Sequence, residues 1–144
     1  MVCLGNICRS PLAEGIMRQL IKDKQLNWEV ASAGTGDWHV GQAPDRRSIE
    51  IAKAYGYDIA AQRARHFTAA SFAQFDYIFV MDKNNLKDVL SLAKNEEEHK
   101  KVKLFLSQEA EVTDPYYDQR LFDPVCKQVE ERCKALLNEL SREV

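Results

Sequence analysis

The sequence predicts an α/β fold, a single domain over residues 1–144 with a parallel sheet flanked by helices. Three observations lead there. Short apolar segments of strand length alternate with longer segments of helical period, the pattern of βαβ units. Phe75 to Met81 is apolar at nearly every position, as a central parallel strand buried on both faces must be. With 144 residues, 45% of them hydrophobic, the chain buries a sizeable core without disulfide staples but has no length for a second domain.

The elements follow in order. Ser10-Pro11 opens a helix: serine caps, and proline suits a first turn whose N–H has no partner. Leu12, Ile16, Met17, Leu20 and Ile21 carry that helix to about Gln25. Trp28 to Ser32 reads as a strand, and Ala33 to Pro44 as a loop with three glycines. Asp45 caps a second helix that stops at Gly56, with Ile49, Ala52 and Tyr55 inward. Thr68 to Phe75 suits one or two helical turns, and Phe75 to Met81 a strand. Asp82 caps a third helix carrying Leu86, Val89, Leu90 and Leu92. Lys94 to Lys101 is expected to be a charged loop, Val102 to Leu106 a strand, and Gln108 to Gln119 a loop centred on Asp114-Pro115. A last helix carries Phe122, Val125, Val129, Cys133, Leu136, Leu137 and Leu140 along one stripe.

Composition excludes several functions. A net charge of −2 with interspersed signs argues against a nucleic-acid binder, which needs a basic surplus. No apolar run is long enough to span a membrane, and no export signal is visible. Four cysteines without that signal read as free thiols in a reducing cytoplasm. His39, His66 and His99 are scattered without ligand spacing, so no metal is expected.

In open parallel sheets ligands bind beyond the carboxyl ends of the strands. The first such loop is Cys3-Leu4-Gly5-Asn6-Ile7-Cys8-Arg9-Ser10, placed at a helix start. A loop that closes on a helix N-terminus can turn the N–H groups of Leu4, Gly5, Asn6, Ile7 and Cys8 inward as an anion cradle. Gly5 permits a positive φ and Asn6 tolerates the left-handed region. Arg9 offers a planar fork for two phosphate oxygens. Cys3 would lie beneath the phosphorus, where these donors favour its thiolate, and Ser10 can donate to the sulfur. The bare Cys-x5-Arg spacing recurs at Cys126 and Arg132, but without glycine and inside an amphipathic helix, where Cys126 and Cys133 read as core thiols.

Cys3 to Pro11 resembles the signature loop of the low-molecular-weight protein tyrosine phosphatases. The resemblance continues through Ser32-Ala33-Gly34-Thr35, Trp38, Pro44-Asp45, Phe75-Asp76-Tyr77-Ile78, Met81-Asp82 and Asp114-Pro115-Tyr116-Tyr117. It implies hydrolysis of phosphotyrosine on protein substrates and of aryl phosphates, through a phosphocysteine on Cys3. Arg9 and the loop would bind the phosphoryl group, and Asp114 would act as general acid and base. Trp38 and one or both of Tyr116 and Tyr117 would wall the substrate ring. No cofactor is implied, since Arg9 and the loop N–H groups supply the positive charge. Asn6 and Ser10 should hold the loop's shape, with Ser32 a plausible partner. Gln62 stands where the family often has histidine, so that network is altered and cannot carry charge there. Cys8 either traps an oxidised Cys3 as a disulfide or only packs the loop.

The family also has an apolar strand before its signature cysteine, whereas Met1 and Val2 alone precede Cys3 here. The first strand is therefore expected to be cut short, and the gap filled by a stub, by exchange or rearrangement, or by residues upstream of this start. Two other functions compete. Arsenate reductase shares the fold and a similar loop but needs relay cysteines. A phosphotyrosine-binding module without turnover would follow if the short first strand disabled the loop. The oligomeric state is not legible.

Overall fold

Four parallel strands form the sheet in a computed structural model that describes residues 1–143. They are β1 (Val2–Cys3), β2 (Ala33–Gly34), β3 (Ile78–Val80) and β4 (Val102–Leu104), in the order β2-β1-β3-β4. Helices α1 (Arg9–Asp23), α2 (Arg46–Ala54) and α6 (Phe122–Glu143) cover one face. Helices α3 (Ser71–Gln74), α4 (Lys83–Leu90) and α5 (Glu96–Lys101) complete the set.

The sheet alternation divides the core. Val2, Ile78 and Val80 point to one side, into a cluster with Phe67, Phe72, Val89 and Val102. Cys3, Phe79 and Met81 point to the other, among Leu12, Ile16, Phe105, Val129, Cys133 and Leu137. The stripe read along the last helix is this second cluster's outer wall. Leu140 is only half buried. At Gly34 an added Cβ would stand 2.8 Å from the Leu4 carbonyl oxygen, so the glycine lets β2 approach the loop after β1.

Several elements differ from the sequence reading, each for a physical reason. Asp45 and Asp82 cap α2 and α4 as expected, and Asn85 completes a capping box with Asp82. The strand expected at 28–32 lies instead at Ala33–Gly34, because a strand needs a partner and β1 begins only at Val2. Strand β3 is shorter than 75–81 for the same reason. The charged loop at 94–101 is in part helix α5. Asn95 caps it, three glutamates fill its first turn, and His99, Lys100 and Lys101 fill its last, a favourable match to the helix dipole. Ser10 is not a cap: α1 begins at Arg9, after Cys8. Gly5 has no positive φ, whereas Asn6 takes it at 56°. Leu92 lies beyond the end of α4 and is exposed.

The first strand is a stub of two residues between β2, also of two, and β3, of three. The Met1 nitrogen donates to the Ala31 carbonyl, and Ala33 N–H to the Met1 carbonyl. Below that point a cavity of about 620 Å³ separates residues 27–31 from residues 75–79, floored by Met17, Ile21, Leu136 and Leu140. Each ladder bond made there would net roughly 0.5–1.5 kcal/mol. Four or five apolar β-branched residues placed before Val2 should therefore raise both melting temperature and kcat/KM. A gain of about 2 kcal/mol would lift Tm by roughly 4–8 °C. Unchanged melting and unchanged aryl phosphatase rates would show that the stub is sufficient.

Candidate active site

The loop between β1 and α1 is held from outside by its carbonyls. Thr35 N–H donates to Cys3 O at 2.9 Å, Gly36 N–H to Leu4 O at 2.9 Å, and Asp45 N–H to Ile7 O at 2.8 Å. With those oxygens turned outward, the amides face inward. Among the described residues none accepts a hydrogen bond from the N–H groups of Leu4, Gly5, Asn6, Ile7 or Cys8. Unpartnered N–H groups converging at a helix start form an anion cradle.

Cys3 and Arg9 are both buried at this loop. The Cys3 sulfur lies 3.0 Å from Ser10 Oγ. Asn6 Nδ2 donates to Ser10 Oγ at 2.7 Å and to Ser32 Oγ at 2.9 Å, so Asn6, Ser10 and Ser32 form the network expected of them. Gln62 takes no part. Its amide donates to the Pro11 carbonyl and its own oxygen is buried without a partner.

Arg9 is fixed by two groups that sequence reasoning did not select. Its Nη1 donates to Asp82 Oδ2 at 2.7 Å and to the Val112 carbonyl at 3.0 Å. Asp114 Oδ2 stands 3.7 Å from Nη2, which brings the late Asp-Pro loop to the mouth of the first loop. Burial works against the Arg9 charge, but Cys3, Asp82 and Asp114 outweigh it and hold its pKa above the ordinary value. Asp82 was legible only as a cap. Its place just past β3, at the carboxyl edge of the sheet, was the available signal. Glu14, buried in α1 and hydrogen-bonded by Ser32 Oγ at 2.7 Å, was also missed.

The aromatic residues stand on two sides. Residues 35–39 run beside the loop, with His39 against Gly5 and the Trp38 ring over Gly36, where an added Cβ would overlap it. Trp38 is 66% exposed. Tyr116 lies on the Ile7 side: Arg47 is paired with Asp45 and stacks on the Tyr116 ring at 5.3 Å and the Phe122 ring at 4.6 Å. Tyr117 meets Tyr116 edge to face at 5.0 Å and is 90% exposed against 41% for Tyr116. Asp114 Oδ1 accepts the Tyr116 N–H at 3.1 Å, which ties that ring's backbone to the carboxylate.

The other thiols are poor nucleophiles. Burial first, then neighbouring Asp45 and Cys3, pushes Cys8 up to about 12. Burial likewise raises Cys126 and Cys133 to about 12. Arg132 does not approach Cys126 as a phosphate ligand, since its Nε donates to the Phe105 carbonyl. Among the described residues no cluster of three or more His, Cys, Asp or Glu side chains could hold a metal, and no helix is long and apolar enough to cross a membrane.

A parallel sheet whose first strand ends in a cysteine-bearing loop of unpartnered N–H groups, with a guanidinium on one flank, defines the class: an α/β protein with a thiol and a candidate anion loop at the carboxyl edge of its sheet. A family model for low molecular weight phosphotyrosine protein phosphatase matches residues 1–144. A pig protein of that description is 37% identical, over 96% of this chain and 92% of its own. A crystal structure of a protein tyrosine phosphatase from Entamoeba histolytica, with Hepes in its active site, aligns with a TM-score of 0.91 at 35% identity, covering 99% of this chain and 95% of that one. Vibrio vulnificus Wzb in complex with benzylphosphonate aligns with a TM-score of 0.86 at 30% identity, covering 96% and 94%. The chain belongs to the low molecular weight phosphotyrosine protein phosphatase family, and is a protein tyrosine phosphatase by that membership.

The Arg9 clamp yields a test. Asp82→Asn keeps a capping side chain on α4 but removes the charge facing Arg9. Hydrogen bonds to charged groups are worth about 1.5–3 kcal/mol, so the melting temperature should fall, and kcat/KM for an aryl phosphate should fall about 10- to 100-fold as Arg9 loses its anchor. Unchanged kinetics would show that Val112 alone orients Arg9.

Proposed function

We propose that this chain hydrolyses phosphotyrosine on protein substrates, and aryl phosphate monoesters generally, through a phosphocysteine on Cys3 with Asp114 as general acid and base. The observation that carries the reading is the loop whose Cys3, Leu4 and Ile7 carbonyls are bonded by Thr35, Gly36 and Asp45 while its N–H groups have no protein acceptor, with buried Cys3 and Arg9 at its two ends.

In the first step the Cys3 thiolate attacks phosphorus in line. The P–O bond to the aryl group breaks as Asp114 protonates the leaving oxygen. In the second, Asp114 takes a proton from water, whose oxygen bonds to phosphorus while the S–P electron pair returns to sulfur. The N–H groups of Leu4, Gly5, Asn6, Ile7 and Cys8, with Arg9, stabilise the equatorial oxygens in both steps. Ser10, 3.0 Å from the sulfur, donates to it as it leaves. Trp38 and Tyr116 stand on opposite sides of the loop and suit an aromatic leaving group. The benzylphosphonate held by the Vibrio relative is a ligand of that kind. Residues 1–144 would act as one catalytic domain, and four free thiols suit a cytoplasmic setting.

Arsenate reduction gains no support. Cys126 and Cys133 are buried in α6, and the Cys133 thiol faces the Ala13 carbonyl in α1, so neither is open to the outside reductant a disulfide relay needs. A binding module without turnover is not favoured by a chain whose whole length matches a phosphatase family. The raised Cys8 thiol favours loop packing over fast disulfide formation.

Three variants test the mechanism. Cys3→Ser should abolish turnover and still bind phosphate or vanadate, whereas Cys126→Ser should leave the kinetics nearly unaltered. Asp114→Asn should lower kcat about 100- to 10,000-fold for poor leaving groups and far less for activated ones, which need little protonation. An equal loss for both kinds of substrate would remove Asp114 from the acid role.

A further inference from the structure

The loop that brings Asp114 to the site begins under strain. Gln108 and Glu109 both have positive φ, at 58° and 59°. Residues with side chains rarely adopt that left-handed conformation in succession, and they keep it where the surroundings fix them. Between Ser107 and Pro115, the hydrogen bonds to residues distant in sequence, among those described, fall at two adjacent positions. Val112 is buried; its N–H donates to the Met81 carbonyl at 2.8 Å, and its own carbonyl accepts Arg9 Nη1 at 3.0 Å. Glu111 is exposed, and its Oε2 accepts the Lys83 backbone N–H at 2.8 Å.

Met81 and Lys83 lie on either side of Asp82, whose carboxylate holds Arg9. Three successive residues therefore grip Val112, Arg9 and Glu111. The Lys83 N–H is the first of α4 and has no acceptor within the helix, while Asp82 Oδ1 takes the N–H of Asn85. A carboxylate such as Glu111 suits that end of a helix. The two ties do different things. Val112 alone fixes the chain at one residue, about which a strained loop can pivot. The second tie, one residue earlier and on the far side of Asp82, stops the pivot. Asp114 lies two residues beyond Val112, a reach of about 7 Å, so its carboxylate follows any rotation there.

We infer that Glu111 is a positioning residue for Asp114, locking the general-acid loop onto the start of α4 through the Lys83 N–H. The inference rests on the reading of Asp114 as general acid. Its effect falls on proton transfer to the leaving oxygen, which is sensitive to small misplacements of the donor. The cradle and Arg9 keep their own ties, so phosphate binding is left alone.

The experiment uses the full chain with Glu111→Ala, Glu111→Gln and Asp114→Asn, and with Glu111→Ala combined with Asp114→Asn. It measures the inhibition constant of inorganic phosphate and kcat/KM for two esters: phenyl phosphate, whose leaving group needs a proton, and 2,4-dinitrophenyl phosphate, whose leaving group does not. Glu111→Ala should lower kcat/KM roughly 3- to 10-fold for phenyl phosphate, the scale of one hydrogen bond, and less than about twofold for the dinitrophenyl ester. Phosphate should bind as it does to the unsubstituted chain. Glu111→Gln keeps an oxygen acceptor for Lys83 and should recover most of the loss. In the Asp114→Asn background Glu111→Ala should cost nothing further, since it acts through the missing acid. Equal losses on the two esters would overturn the inference by showing a general loosening of the site. So would a glutamine no better than alanine, a phosphate constant that weakens in step with kcat/KM, a full further loss in the Asp114→Asn background, or unchanged kinetics throughout. If Asp114→Asn itself costs both esters equally, the general-acid reading falls, a result distinct from an acid that discriminates between the esters but does not respond to Glu111.

Discussion

Three backbone hydrogen bonds organise the molecule's chemistry: Thr35 to Cys3, Gly36 to Leu4, and Asp45 to Ile7. Each donor belongs to a different stretch from the loop it holds, and each pulls a carbonyl outward. The amides of the same peptide units are then left facing one another with no protein acceptor. N–H groups left without a protein acceptor at a helix start are open to an anion. The sheet, the cap of α2 and Gly34 all serve this one constraint, since each positions a donor or permits the close approach it needs.

The charges around the loop follow from the same geometry. A thiol beneath converging amides and a buried guanidinium would overaccumulate positive potential unless something opposed it. Asp82 does so from the carboxyl end of β3, and it caps α4 with the same carboxylate. Asp114 stands farther off, 3.7 Å from Arg9, on a loop that also carries Tyr116. Asp82 thus makes the close pair with the guanidinium and Asp114 the distant one. On the opposite side Glu14 and Arg18 end the network of Asn6, Ser10 and Ser32 in an ion pair at the surface of α1. Arg47 performs a third pairing at the Tyr116 wall, where it ties a ring to Asp45 and hence to Ile7.

Much of this was legible in the residues. The loop at 3–10 declared itself through glycine, asparagine, a Ser-Pro helix start and the Cys-x5-Arg spacing, and context separated it from the copy at Cys126. What stayed hidden depends on long-range pairing. Nothing local marks Asp82 as the partner of Arg9, 73 positions away, because a capping aspartate looks the same whether or not a guanidinium meets its second oxygen. Glu14 reads as an ordinary helix residue until Ser32 packs against it. The strand at 28–32 was misplaced because its apolar pattern is real while its partner is not there to pair. The helix at 96–101 is hidden by its charge, which suggests a solvated loop, although acidic residues lead and basic ones follow, the order that favours a helix.

The amides from Leu4 to Cys8 are the proposed phosphate cradle, on which the proposed chemistry turns. Titrating the isotopically labelled chain with inorganic phosphate, and following its backbone amide resonances, tests this most directly. The amide signals of Leu4, Gly5, Asn6, Ile7 and Cys8 should move together, saturate at one dissociation constant, and shift more than those of residues around Cys126. If phosphate leaves those five amides unmoved, or moves instead a set centred on the final helix, the cradle assignment is wrong and the mechanism built on it goes with it.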